Sequence, residues 1–161
     1  MGLGQARELR CGSKARLLRP RRSRCGACRS THVLVPTSML LRRRDAIEVI
    51  GAALLARRAG RGHRRIAAGL GVPASTVRAW LSRFSARADL LRAAATAWAH
   101  GLDRDLGRLE PRGSPFADAL EALGVAAGAA VRRLGPARSS WHVIAALTGT
   151  LMLAPTALPT P

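Results

Sequence analysis

The sequence predicts a mainly α fold: a three-helix helix-turn-helix domain, preceded by a small cysteine-containing knuckle and followed by a helical extension. Apolar residues recur at helical spacing from residue 45 onward. Glycine and proline interrupt this pattern at the positions where helices should end or begin. The 48% hydrophobic content is rich in alanine and only 3% of residues are aromatic, which predicts a thin, helical core.

These patterns divide the chain into four expected segments. Residues 1–40 form a basic arm with a degenerate zinc-ribbon-like knuckle, and residues 41–85 form the helix-turn-helix domain. Residues 86–154 form a helical extension suited to dimerisation, and residues 155–161 form a disordered, proline-rich tail.

The arm contains a Cys-x-x-Cys pair, Cys25 and Cys28, between Cys11 and His32. Two intervening residues let both thiolates reach one tetrahedral zinc ion, and Cys11 with His32 would complete a Cys3His set. A second interpretation is a zinc ribbon in which Glu8 replaces the leading cysteine of the first knuckle. Free structural thiols remain an alternative, whereas the context favours neither redox chemistry nor a disulfide.

The first helix of the domain is expected over 45–59. Apolar residues lie on one face, with Asp45 near the start and Arg57 and Arg58 near the end, as the helix dipole favours. Gly60 to His63 form the next turn. This helix would support the two that follow.

Residues 65–84 are typical of two short helices that meet at a sharp corner. Gly71 follows Leu70, where a helix end needs a left-handed residue, and Pro73 presets a first helical turn. The face that should pack inward comprises Val77, Trp80, Leu81 and Phe84. The opposite face would then enter the major groove of DNA.

Hydrogen-bonding and cationic groups dominate that opposite face. Arg78 is able to bond a guanine through two hydrogen bonds, and Ala79 to contact a thymine methyl. The expected DNA-contacting residues are Arg64, Arg65, Ser75, Thr76, Arg78, Ala79, Ser82 and Arg83.

The formal charge of +18 indicates a polyanionic partner. Residues 1–44 hold twelve of the 27 basic side chains and a single acid, Glu8. The expected phosphate contacts are Arg21, Arg22, Arg24, Arg42, Arg43 and Arg44. A basic RNA-binding protein would share this charge without needing the two-helix unit.

Two stretches, Arg24 to Pro36 and Gly60 to Leu81, together resemble a family of short bacterial proteins with a zinc-ribbon-like N-terminus and a helix-turn-helix. That family is similar to the DNA-targeting ends of insertion-sequence transposases. The resemblance covers roughly residues 8–154 and is sharpest over 24–84. It implies DNA binding and a mobile-element origin, and Glu8 departs from its zinc-ligand pattern.

The extension is expected to contain helices over 86–99, from Ser114-Pro115 to Leu134, and from Trp141 to about Leu151. The first would serve as a dimer arm, and the other two would pack or self-associate. Between them, the acids Asp103, Asp105 and Glu110 are interpreted as solvated loop charges rather than a metal site.

The sequence therefore predicts a non-enzymatic, sequence-specific duplex DNA-binding protein related to transposases or transcription regulators. An alternative is the targeting subunit or remnant of an insertion-sequence transposase that acts with a separate catalytic chain. We expect a homodimer, no membrane partner and no small-molecule substrate. The arginine-rich N-terminus lacks a secretory signal, and the apolar stretch 143–153 is too short to cross a bilayer, so we expect a cytoplasmic, nucleoid-associated location.

Overall fold

Five short strands occupy the N-terminal arm in the computed structural model, which describes residues 2–160. The strands are β1 (Gly2–Leu3), β2 (Arg7–Cys11), β3 (Lys14–Leu18), β4 (Arg21–Arg24) and β5 (Thr31–Leu34). They form two antiparallel sheets, one ordered β1-β4-β5 and the other a β2-β3 hairpin. Met1 and Pro161, at the ends of the predicted arm and tail, lie outside the described residues.

Six helices follow within the described chain: α1 (Ile47–Arg58), α2 (His63–Leu70), α3 (Ala74–Ser85), α4 (Ala88–Leu102), α5 (Pro115–Leu134) and α6 (Ser140–Leu147). The predicted helix boundaries are close to these. Ser114 caps α5 by accepting a hydrogen bond from the backbone N–H of Ala117 at 3.2 Å, and Gly135 ends it at φ 98°. At α6, Ser139 is the cap and Ser140 the first helical residue.

One hydrophobic core joins all six helices. It extends from Leu40 through the α1–α3 unit to Leu123 on α5, and ends with Met152 and Leu153 after α6. The most extensive helix pairing is between α4 and α5, where Leu91 and Trp98 are buried among α5 residues. The inward face predicted for α3 is buried as expected.

The predicted fold class is therefore wrong in two respects. The arm is built from strands, so the described chain combines two small sheets with six helices, and the C-terminal helices do not extend from a separate three-helix domain. Strands β3, β4 and β5 are almost wholly exposed, so they lack the apolar alternation that marks a strand in sequence. The apolar face of α4, expected to serve as a dimer arm, is covered by α5.

The β2-β3 hairpin is attached to the segment that precedes α1. The backbone N–H of Arg10 donates to the Arg44 carbonyl at 2.7 Å, and that of Ala46 donates to the Arg10 carbonyl at 2.8 Å. An Arg10 guanidinium nitrogen lies 3.0 Å from a carboxylate oxygen of the buried Asp45. Beneath these bonds Leu9 and Met39 form a second small apolar cluster, so the hairpin has a fixed position on the helices.

The C-terminal residues after α6 return across the α3–α4 junction. The carbonyl of Thr156 accepts a hydrogen bond from Arg87 at 3.0 Å, and Leu158 packs against the main core. Residues 155–160 contain no helix or strand. Over residues 2–160, none of the helices combines the length and apolar character needed to cross a membrane.

Candidate nucleic-acid interface

The unit formed by α2 and α3 has the sharp corner that the glycine and proline positions predict. Gly71 ends α2 in the left-handed region at φ 65°, and its N–H bonds back to the Ala67 carbonyl. Pro73 then precedes α3, whose first turn begins at Ala74. The corner leaves one face of α3 in the core and the opposite face toward solvent.

The outward face of α3 consists of small polar and cationic residues. Ser75, Arg78 and Ser82 are exposed, while Thr76 and Ala79 are half-buried at its edges. Arg83 is exposed and folds back so that its guanidinium donates to the Ala79 carbonyl at 3.4 Å. The structure thus brings together all six DNA-contacting residues predicted on α3.

The two remaining residues predicted to contact DNA lie in the first turn of α2. Arg64 and Arg65 are both exposed, and His63 before them is half-buried. A helix N-terminus favours anions because its first backbone N–H groups have no partner within the helix. The two guanidiniums therefore add positive charge at the positive end of the α2 dipole.

The turn of the β2-β3 hairpin lies against the α2–α3 corner. A Cβ atom added to Gly12 would come within 3.1 Å of the Leu70 carbonyl oxygen, and one added to Gly71 would lie 3.5 Å from the backbone nitrogen of Ser13. Glycine at position 12 allows this close approach, whereas at position 71 it allows the positive φ of the corner. The corner is consequently held from outside by the basic arm.

The predicted phosphate-contacting arginines occupy two places. Arg21, Arg22 and Arg24 are exposed on β4, whereas Arg42, Arg43 and Arg44 follow one another in the loop before α1. Arg42 and Arg44 are exposed.

Arg43 differs from its neighbours because it is half-buried and lies near Arg83 of α3. Its guanidinium lies 3.5 Å from the Leu153 carbonyl oxygen. Burial lowers the pKa of Arg43, the nearby positive charge of Arg83 lowers it further, and Asp45 opposes both effects. This proximity connects the loop that carries Arg42, Arg43 and Arg44 (the arginine loop) with the C-terminal part of α3.

The predicted zinc ligands separate into two groups. Cys25 and Cys28 lie at the tip of the β4-β5 hairpin, close to His32 on β5. Cys11 is in the other hairpin, where it packs against the second apolar cluster. Among residues 2–160, no three or more histidine, cysteine or acidic side chains are placed to hold a metal ion. The four-residue set expected from sequence is therefore not assembled.

The environment of Cys28 favours its thiolate. Hydrogen bonds from Ser30, followed by smaller contributions from Cys25 and His32, lower the pKa of this exposed thiol to about 7. Cys25 is half-buried beside it. Strand pairing of Arg24 with Thr31 fixes the two ends of the loop that carries both thiols.

One polar cluster has no signal in the sequence. His142 on α6 bonds Glu48 on α1 through Nε2 at 2.7 Å, and its Nδ1 lies 3.0 Å from the Thr37 hydroxyl. Because a carboxylate only accepts, Nε2 carries a proton, and a neutral ring leaves Nδ1 to accept from the hydroxyl. The cluster joins three elements far apart in the chain, so only the fold brings them together.

Several acids of the C-terminal helices are paired with arginine. Asp103 lies 2.8 Å from Arg132, and this hydrogen bond is the main reason its pKa is lowered. Asp118 is paired with Arg92, and Glu121 contacts both Arg58 and Arg112. These acids neutralise neighbouring arginines.

No family model, no curated protein and no solved structure matches this chain.

Proposed function

We propose that this protein binds duplex DNA in a sequence-specific manner, with α3 in the major groove and α2 crossing the backbone. The observation that carries this proposal is the division of α3 into a core face and a solvent face. Val77, Trp80 and Phe84 fix the helix, while Ser75, Arg78 and Ser82 remain free of the core. Short hydroxyls and a guanidinium are groups that read base edges.

The distribution of charge supports the same surface. The net positive charge of +18 lies largely in the arm and the arginine loop. Part of that arm contacts the α2–α3 corner. Such charges bind phosphates without regard to sequence and make affinity depend on salt. The basic hairpins would add affinity, while α3 would add specificity.

The proposed role is targeting rather than catalysis. Transfer of DNA strands by two metal ions requires several free carboxylates at one place. Here Asp45, Asp103 and Asp118 each pair with an arginine. This supports a regulator or the targeting subunit of a transposase, and we expect no DNA cleavage in magnesium or manganese.

Zinc belongs to the proposal only through the pair Cys25 and Cys28, because within residues 2–160 no third histidine, cysteine or acidic side chain is placed to complete a metal site with them. Their closeness at one hairpin tip and the lowered pKa of Cys28 favour a thiolate ligand. Zinc content of the purified protein should fall when Cys25 and Cys28 are both replaced by serine. Unchanged zinc in that variant, or none in the parent protein, would exclude this site.

We also propose a homodimer associated with the nucleoid through DNA. Exposed apolar side chains on α5 support self-association: Leu134 is 77% exposed and Val131 is 36% exposed. Sedimentation equilibrium of the full chain, with and without duplex, measures the oligomeric state. A monomer under both conditions would contradict the dimer.

Competition between nucleic acids tests the proposed function. A labelled duplex should be displaced by unlabelled duplex DNA at lower concentration than by a structured RNA of equal phosphate number. The reason is that an α-helix enters the wide major groove of B-form DNA but not the narrow one of A-form RNA. Preferential displacement by RNA would favour an RNA-binding protein.

A further inference from the structure

A pocket of about 450 Å³ lies between the start of β2 and the loop before α1. Four arginines line it, together with one acid: Arg7, Arg42, Arg43, Arg44 and Glu8. The sequence predicts three of these, Arg42, Arg43 and Arg44, as phosphate contacts. The structure adds Arg7 from another element and gives the group a common concave surface.

The arginine loop has a defined conformation rather than that of a loose tail. The N–H of Arg43 donates to the carbonyl of the buried Leu40 at 3.0 Å, which closes a tight turn. Arg42 within that turn is in the left-handed region at φ 58°. A residue other than glycine is held there only when its surroundings determine the backbone.

Strand β2 forms the opposite wall of the pocket and is tied to the same loop. Arg10 on β2 bonds the Arg44 carbonyl through its backbone and Asp45 through its side chain. The backbone of β2, which carries Arg7, is therefore held beside the arginine loop. Preorganised cations bind an anion better than mobile ones because less side-chain freedom is lost.

The pocket has more positive charge than its own acids can balance. Glu8 lines it, and Asp45 nearby is already paired with Arg10. The Nε atom of Arg43 is buried and, within residues 2–160, has no hydrogen-bond acceptor. Burial and the charge of Arg83 both disfavour the cationic form of Arg43. A bound anion would offset this repulsion.

We propose that this pocket binds a single phosphate group, held by Arg7 and the three arginines of the loop. The proposal rests on the proposed function in its expectation that the phosphate belongs to the DNA backbone beside the C-terminal part of α3. A free phosphorylated molecule presents the same chemistry. In either case the pocket is a distinct site from the base-reading face.

Thermal unfolding of the full chain with inorganic phosphate tests the pocket directly. Sodium chloride at equal ionic strength serves as the reference, so that screening is the same in both series. The midpoint should rise saturably, by about 3–6 °C at a phosphate concentration ten times the dissociation constant. A rise no larger than in chloride would overturn the proposal.

The variant Arg42→Gln/Arg44→Gln removes two lining charges from exposed side chains, and Arg104→Gln/Arg133→Gln removes two exposed charges elsewhere. Only Arg42→Gln/Arg44→Gln should lose the rise in unfolding midpoint that phosphate causes. A lysine pair, Arg42→Lys/Arg44→Lys, should retain most of it because the charge remains. Equal loss in the loop variant and the distant control would overturn the pocket.

Duplex DNA then distinguishes the two sources of phosphate. For a backbone phosphate, Arg42→Gln/Arg44→Gln should weaken binding to all duplexes by roughly 10- to 100-fold near 0.1 M salt. Duplex binding that is unaffected, while phosphate binding is lost, would assign the pocket to a free phosphorylated molecule. Phosphate binding without any duplex binding would leave the pocket standing and contradict the proposed function.

Discussion

Cys28 is the residue whose chemistry is most changed by its surroundings. Its pKa of about 7 lies below the ordinary thiol value, so the thiolate should predominate above neutral pH. We predict that alkylation by iodoacetamide rises through pH 7 and is nearly constant above pH 8. Labelling followed by peptide mass spectrometry measures the rate for each cysteine.

Ser30 provides the control for this prediction because its hydrogen bonds contribute most to the shift. In the variant Ser30→Ala the alkylation curve should move to higher pH. A curve centred near pH 9 in the parent protein would contradict the hydrogen-bonded thiolate. Because Cys28 belongs to the cysteine pair proposed to bind zinc, the measurement is made after metal removal.

Arg21 and Arg22 are exposed on a strand and lie in the part of the surface expected to contact phosphates. Replacing both with alanine should weaken binding to all duplexes to the same extent. The slope of log affinity against log salt should fall by about 0.9 for each lost phosphate contact. Fluorescence anisotropy with two unrelated duplexes checks this, and a change confined to one duplex would assign base reading to the strand.

At the scale of elements, α1 and α6 depend on a glycine for their close packing. The indole ring of Trp141 on α6 occupies the space where Gly51 on α1 would carry a Cβ. We predict that Gly51→Ala destabilises the fold by about 1–3 kcal/mol, because the ring and helix must move apart. Chemical denaturation measures the change in the free energy of unfolding.

Gly124 on α5 offers a matched control, since nothing lies within 4 Å of the position of its Cβ. Gly124→Ala should stabilise the protein by up to about 1 kcal/mol, because alanine has the higher helix propensity. Changes of opposite sign in the free energy of unfolding would identify packing against Trp141 as the cause of the loss at Gly51. Destabilisation of similar size at both would contradict it.

Helices were more accessible to prediction than strands for a physical reason. The α3 core face, the Gly71 corner and the Ser114 cap depend on residues within a few positions of one another. The β4 and β5 strands bury almost nothing, and backbone pairing across the hairpin defines them. Hydrophobic periodicity carries no information about such strands.

The same reasoning applies to the candidate sites. The outward residues of α3 follow from helical spacing, and the structure places them where the sequence predicts. The arginine pocket requires Arg7 to meet the loop 42–44, and the His142 cluster joins residues up to 105 positions apart. Long-range packing determines both, as it determines the separation of Cys11 from Cys25.

At the scale of the whole molecule, the single core predicts cooperative unfolding. Leu123, Met152 and Leu153 are buried in the same cluster as the α1–α3 residues. A fragment of residues 1–86 would expose that surface, so we predict that it lacks a sharp thermal transition while the full chain has one. Circular dichroism of both proteins measures this, and a cooperatively folded fragment would restore a separate N-terminal domain.

The shared core also affects how the molecule would meet DNA. The core holds α3 from within, and the β2-β3 turn contacts the corner before it. The outward face of α3 and the arginine loop therefore belong to one body, connected near Arg43 and Arg83. We expect phosphate contacts to orient α3, as they do in other DNA complexes.

The central claim is that α3 reads DNA sequence, and selection of bound duplexes from a random pool tests it most directly. The wild-type protein should enrich a motif, and Arg78→Ala should lose preference at one position, equivalent to about 1–3 kcal/mol of discrimination. Arg133→Ala, an exposed change on α5, should enrich the wild-type motif. Failure to enrich any motif, or the same motif from Arg78→Ala as from wild type, would contradict the account.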